Sequence, residues 1–242
     1  MSPTGQTALV VSAHSADFVW RAGGAIALHA EAGVGVTVVC LSYGERGESA
    51  KLWRQSGMTL AKVKSERRKE AEAAAKAVGV ADIQFWDLGD YPISLSDESL
   101  FRLVKLYRTV RPAFVLTHSR LDPYNHDHPA VSDFTQNARI TAQAHGHEPG
   151  QEVIGAPPVF LFEPHQPEQC RWMPNVLLDI SGVWERKCAA IECMAGQEHL
   201  WEYYTRVALQ RGVQAARNSD KKITYGEAYE AVFPYVLGSL VA

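Results

Sequence analysis

The chain has little cysteine, no strong charge of either sign and no long apolar run. Its four cysteines, Cys40, Cys170, Cys188 and Cys193, are scattered and never form a CxxC pair. That spacing removes the usual redox and cysteine-zinc motifs and leaves buried, reduced thiols as the expected state. Twenty-four basic and 27 acidic side chains leave a formal charge of −3, which argues against a general nucleic-acid surface. No apolar stretch reaches the roughly 20 residues of a membrane span, and residues 1–7 show no basic region leading into an apolar one. Repeats and low-complexity tracts are absent. We expect a soluble, cytoplasmic protein with no nucleic-acid or membrane partner. The 242 residues are enough to bury a full core, and one domain over 1–242 is the expected organisation.

What is present is an alternation of strand-like and helical patterns. Apolar or β-branched runs at 8–12, 34–42, 83–88 and 113–117 are separated by helical patterns at 17–33, 60–78 and 97–110. Gly79 and Pro112 close two of the helices, and Ser96 or Asp97 can cap the third. Alternation of this kind predicts βαβ units. The expected fold is α/β, a Rossmann-like three-layer α/β/α arrangement with a mainly parallel sheet. The second half is less regular. It carries helical patterns at 128–144, 182–195 and 199–216 and strand-like runs at 159–163 and 176–180, while 43–58 reads as a long loop and 218–225 as polar connection.

Chemistry-bearing residues gather at the strand ends. Ala13-His14-Ser15-Ala16-Asp17 follows the first strand and opens the first helix. In open α/β sheets ligands collect at the carboxyl ends of strands, so His14 and Asp17 are placed to act together, although Asp17 can also serve as a simple helix cap. A second group, His118 with His126-Asp127-His128, follows the fourth strand and enters a helix. It can reach the same sheet edge. One His-Asp pair is ordinary polar surface, but two at neighbouring strand-to-helix junctions point to a metal site, with an adjacent carboxylate orienting a histidine ligand.

These motifs, taken in order, resemble a known family. Ala-His-x-x-Asp with Gly23-Gly24, then Gly44-Glu45-Arg46-Gly47, Arg67-x-x-Glu70 with Ala73-Ala74 and Gly79, Asp127-His128-x-Ala-Val, Lys187, Gln197 and Tyr225-Gly226-Glu227-Ala228 are similar to the LmbE-like, or PIG-L, superfamily of zinc-dependent deacetylases. The resemblance implies His14, Asp17 and His128 as zinc ligands and Arg67 as a substrate contact, with Glu227 tethering the C-terminal segment. Two imidazoles and one carboxylate leave coordination positions open, as a catalytic metal requires. Non-haem Fe(II) uses the same ligand set, so zinc follows from the resemblance.

The chain departs from that family where protons are moved. The usual first motif is His-Pro-Asp-Asp, and its first Asp is the general base; here Ser15 and Ala16 stand in its middle. A second catalytic histidine, three residues before the last ligand, is replaced by Asn125. Both acid–base positions are altered while all three ligand positions remain. The His-Ser-Ala-Asp version and residues 163–170 resemble the hydratase branch of the superfamily, which acts on 4-oxalomesaconate in gallate degradation. That implies water addition to a conjugated alkene, giving 4-carboxy-4-hydroxy-2-oxoadipate. Such chemistry needs a base for the water and an acid for the developing carbanion. Glu48, in the loop after the second strand, is the expected base, and His165, after the strand at 159–163, the expected acid. A small polycarboxylate substrate needs cationic clamps; Arg46, Arg67 and Arg120 are the candidates, with Asn125 as a further contact. The alternatives are a zinc-dependent N-acetyl sugar deacetylase with a relocated base, using Glu48 or His126, and a metal-dependent binding protein without turnover. A homo-oligomer is expected.

Overall fold

The computed structural model describes residues 4–234 and 236. All seven strands among them join one sheet in the order β3-β2-β1-β4-β5-β7-β6. The strands are β1 (Thr7–Ser12), β2 (Gly35–Cys40), β3 (Asp82–Phe85), β4 (Phe114–Thr117), β5 (Val159–Phe162), β6 (Val176–Asp179) and β7 (Gly226–Ala231). β1 to β5 pair in parallel. β7 runs antiparallel between β5 and β6.

β1 is a run of consecutive buried residues, as a central parallel strand covered on both faces must be. Its side chains alternate between two cores. Ala8 and Val10 pack with Phe18, Ile26, Val78, Ala190 and Ile191, beneath helices α1 (Asp17–Glu31), α3 (Leu60–Val78), α6 (Trp184–Glu192) and α7 (Trp201–Arg217). Leu9 and Val11 pack with Leu103, Tyr107, Val131 and Phe134, beneath α4 (Asp97–Val110) and α5 (Asp127–Ala142). The three-layer α/β/α fold expected from the alternation is therefore present. α3 ends at Gly79 in a left-handed conformation, and a capping box between Ser96 and Ser99 starts α4; both termini carry their own chemical signal.

Two elements differ from the sequence-based expectation. The loop at 43–58 contains a short helix, α2 (Ala50–Trp53). The segment after the polar connection continues as β7. β7 carries Glu227, whose carboxylate accepts Gly24 N–H at 2.7 Å and Ala25 N–H at 2.8 Å, Lys187 Nζ at 2.6 Å and Tyr229 O–H at 2.6 Å. A Cβ on Gly24 would lie 2.9 Å from Glu227 Oε1 and 2.8 Å from Ile180, so the glycine permits this approach. The predicted tether is thus an ion pair between β7 and α6, buried against α1.

β1 leads outward to β2 and β3 on one side, while β4 lies on its other side. The strand order reverses between β1 and β4, and at such switch points the carboxyl ends open a crevice. His14 follows β1 and His118 follows β4 at that point. Among the described residues, no helix is long and apolar enough to cross a membrane.

Candidate metal centre and active site

Four side chains from separate elements converge in the crevice. One ligand atom from each of His14, Asp17, Glu48 and His128 lies within 4.8 Å of the others. His14, fully buried, places Nδ1 3.1 Å from Asp17 Oδ2 and 3.2 Å from Glu48 Oε1. Asp17 is the first residue of α1, and its Oδ1 lies 3.6 Å from His128 Nε2. His128, the second residue of α5, has its other nitrogen 2.8 Å from Asp122 Oδ2.

Two of the buried unsatisfied atoms belong to the cluster. Glu48 Oε2 and His128 Nε2 are buried and have no hydrogen-bond partner. Burying lone pairs this way is costly unless something compensates them. A divalent cation would do so for His128 Nε2, because the two imidazoles and the Asp17 carboxylate suit zinc or iron. The donor set fits a metal.

Outside the cluster, carboxylates hold the histidines in place. His14 Nε2 lies 3.2 Å from Asp90 Oδ1 and 3.3 Å from Asp127 Oδ2. Asp90 Oδ2 accepts Gly47 N–H at 3.0 Å and Arg46 N–H at 2.5 Å, and Asp127 accepts the backbone N–H groups of Tyr91 and Ile93. One carboxylate therefore links a histidine of the cluster to the loop bearing Glu48. A Cβ on Gly47 would fall 2.0 Å from the Tyr91 ring, so this glycine lets Tyr91 cross the loop and stack on His14 at 5.8 Å. Burial alone would lower the His14 pKa, but the carboxylates of Glu48, Asp127, Asp17 and Asp90 raise it well above the ordinary value. Burial would raise Asp17, yet His128, His118 and His14 hold it well below the usual carboxylate range. The cluster is a dense set of mutually interacting charges.

A cavity of about 180 Å³ opens over it. Its lining includes Asp17, Glu48, Asn125, His128 and His165, with Trp20, Tyr91, Tyr124, Leu200 and Tyr204 as largely aromatic walls. His165 stacks on Tyr203 at 4.1 Å. Burial and then the nearby Arg21 charge lower its pKa. Asn125 also accepts Asp127 N–H at 3.1 Å, which shapes the start of α5. His126 is exposed. His118 stacks on His128 at 4.2 Å, and its Nε2 accepts Ala13 N–H at 2.9 Å.

The structure places the three candidate cationic clamps outside the cavity lining. Arg67 is fully buried, with its guanidinium satisfied by Tyr43 O, Glu70 and Gln197 at 3.3, 2.6 and 2.9 Å. It is missing from the cavity lining because it is committed to holding loop to helix. Arg46 and Arg120 are exposed and also outside the lining. Among the described residues, the one arginine or lysine lining the cavity is Arg21, which the sequence reading passed over. The available signal was its place four residues after Asp17, on the same face of α1. Asp90 and Asp122 were also missed; each is an acid in a loop after a strand, six residues before His128 in the case of Asp122.

Residues 9–139 match the family model described as PIG-L, GlcNAc-PI de-N-acetylase. The chain belongs to the PIG-L family. Within it, the chain is 62% identical over 244 residues to 4-oxalmesaconate hydratase of Pseudomonas putida KT2440, covering 99% of this chain and 94% of that protein. The crystal structure of GalB, the 4-carboxy-2-hydroxymuconate hydratase from Pseudomonas putida KT2440, superimposes with a TM-score of 0.95 at 62% identity, over 98% of this chain and all of that one. N,N'-diacetylchitobiose deacetylase from Pyrococcus horikoshii shares the fold, with a TM-score of 0.76 at 22% identity over 94% of this chain and 84% of that one.

Proposed function

We propose that this PIG-L chain is a metal-dependent hydratase that adds water across the double bond of 4-oxalomesaconate. The observation that carries the reading is the combination of a complete His14/Asp17/Glu48/His128 cluster with Ala16 in the position of the deacetylase base. Ala16 is fully buried in the apolar core under α1 and cannot move a proton. The hydratases to which the chain is 62% similar by identity support the same chemistry.

His14, Asp17 and His128 would hold the metal, which we take to be zinc, with Glu48 beside them. When bound, a divalent metal supplies Lewis acidity that favours deprotonation of water and stabilises enolate charge. The Glu48 carboxylate accepts the proton of the attacking water at Oε2, the oxygen left without a partner. The water oxygen bonds to the alkene carbon that carries the oxo-bearing arm, and the π electrons move toward the carboxylate conjugated at the other alkene carbon. His165 then gives a proton to that other alkene carbon. Asp90 and Asp127 keep His14 oriented throughout, and the aromatic walls limit bulk water.

Parallel assays test this. Purified, metal-replete protein should remove the conjugated absorbance of 4-oxalomesaconate and release no acetate from N-acetylglucosamine derivatives. Acetate release without absorbance loss makes the chain a deacetylase with a relocated base; silence in both assays makes it a binding protein.

A further inference from the structure

The cavity over the metal cluster is lined by three carboxylates, Asp17, Glu48 and Asp122, yet it must admit a tricarboxylate if the hydration reading, on which this inference rests, holds. A polyanion entering such a site needs a fixed positive charge besides the metal. Arg21 is the one arginine or lysine in that lining. Its side chain is largely buried. Nη1 donates to the Glu163 carbonyl at 2.8 Å, and Nε donates to Asp17 Oδ1 at 3.4 Å. Nη2 makes no hydrogen bond to any described residue and is not among the buried orphan atoms, so part of it is accessible, and Arg21 lines both this cavity and a narrow neighbouring one.

A guanidinium presents Nε–H and one N–H of Nη2 along a single edge. In Arg21 the Nε end of that edge reaches a side chain of the metal cluster, and the Nη2 end is free. The Glu163 carbonyl fixes the group from its other side, at the start of the segment that brings His165 to the cavity. The long Nε contact to Asp17 leaves the edge available to a stronger acceptor. We propose that Arg21 is the specificity-determining residue of the site, receiving one carboxylate of the substrate on this edge and so fixing which end of the molecule lies over the metal. The tricarboxylate is thereby held between a cation of the chain and the metal cluster, with His165 alongside.

Substrate-like but unreactive acids test this on the metal-loaded protein by calorimetry. The probes are propane-1,2,3-tricarboxylate and its two dicarboxylate relatives, propane-1,3-dicarboxylate and propane-1,2-dicarboxylate. Charge-assisted, bidentate recognition predicts that removing the carboxylate held by Arg21 weakens binding by about 10–100-fold. In Arg21→Met that difference between tricarboxylate and dicarboxylate should collapse, and Arg21→Lys should restore part of it. Metal content, read on the same samples, should stay near one equivalent in both variants. On 4-oxalomesaconate, Arg21→Met should raise KM about 10–100-fold while kcat changes much less.

A merely structural Arg21 weakens all three probes equally, or loses metal in both variants, and either result overturns the proposal. So does a parent protein that binds none of the probes. Because binding is read without turnover, a parent that binds the tricarboxylate but does not hydrate 4-oxalomesaconate refutes the reaction assignment alone. An active parent whose Arg21→Met variant keeps the full difference refutes Arg21 alone.

Discussion

Asp122 offers a test of the metal centre that leaves every ligand in place. Its Oδ2 lies 2.8 Å from His128 Nδ1, both side chains are almost wholly buried, and Asp122 also accepts Tyr124 N–H at 3.0 Å. Burial would raise the Asp122 pKa, but the contact with His128 holds it below the usual carboxylate value. The carboxylate therefore keeps a proton on Nδ1, leaving Nε2 as the nitrogen that faces the cluster. Removing such a partner of a ligand histidine typically costs about 10–100-fold in metal affinity. Asp122→Ala should lose that much. Asp122→Asn, whose amide oxygen can still accept from Nδ1, should lose distinctly less. Affinity is measured by competition with a chromophoric chelator, with far-UV circular dichroism to verify that each variant is folded. An Asp122→Ala protein that is folded and binds metal as tightly as the parent would show that Asp122 does not orient His128, and the assignment of His128 as a ligand would lose its main support.

Glu48→Gln should lower kcat by roughly 10²–10⁴-fold, the usual contribution of a general base; elemental analysis then decides its role, because retained metal marks a base and lost metal marks a fourth ligand. If His165 is the acid, its lowered pKa makes the group mostly neutral at pH 7 in the free site, so kcat/KM should fall as pH rises through a value below the ordinary histidine one; a bound polyanion should move the matching limb of kcat to higher pH, and His165→Ala should abolish both limbs with metal content unchanged. Ala16→Asp buries a carboxylate in the apolar core under α1, one residue before Asp17, so stability in urea unfolding and hydration should both fall; unchanged unfolding with undiminished turnover contradicts that placement. Glu227→Ala leaves Lys187 buried without its counter-ion and frees the Gly24 and Ala25 N–H groups, which should destabilise the fold by about 3–5 kcal/mol in urea unfolding.

The sequence displayed the fold wherever local chemistry and packing agree. α3 was legible because Gly79 closes it, and the first four strands because β-branched or apolar runs meet one core or both. β7 was not legible. Its Gly-Glu-Ala-Tyr-Glu-Ala run lacks a strand's usual composition, and its place is fixed by Glu227 reaching across to α1 and α6. The residues proposed to hold a metal stood out because each sits near a strand-to-helix junction. The cavity arginine did not, because its place in the lining depends on how α1 packs against the neighbouring elements, and motif spacing carries no information about that packing. Arg67 belongs to a family motif yet spends its donors on Tyr43, Glu70 and Gln197. Arg21 belongs to none of the motifs and lines the cavity.

The most direct test of hydration at this metal centre is a titration of chelator-stripped protein with zinc, following the conjugated absorbance of 4-oxalomesaconate. The structure predicts no turnover in the stripped protein and activity that rises linearly to a plateau at one zinc per chain, with His14→Ala inactive at every zinc concentration. Full activity in the stripped protein, or in His14→Ala, would contradict the account.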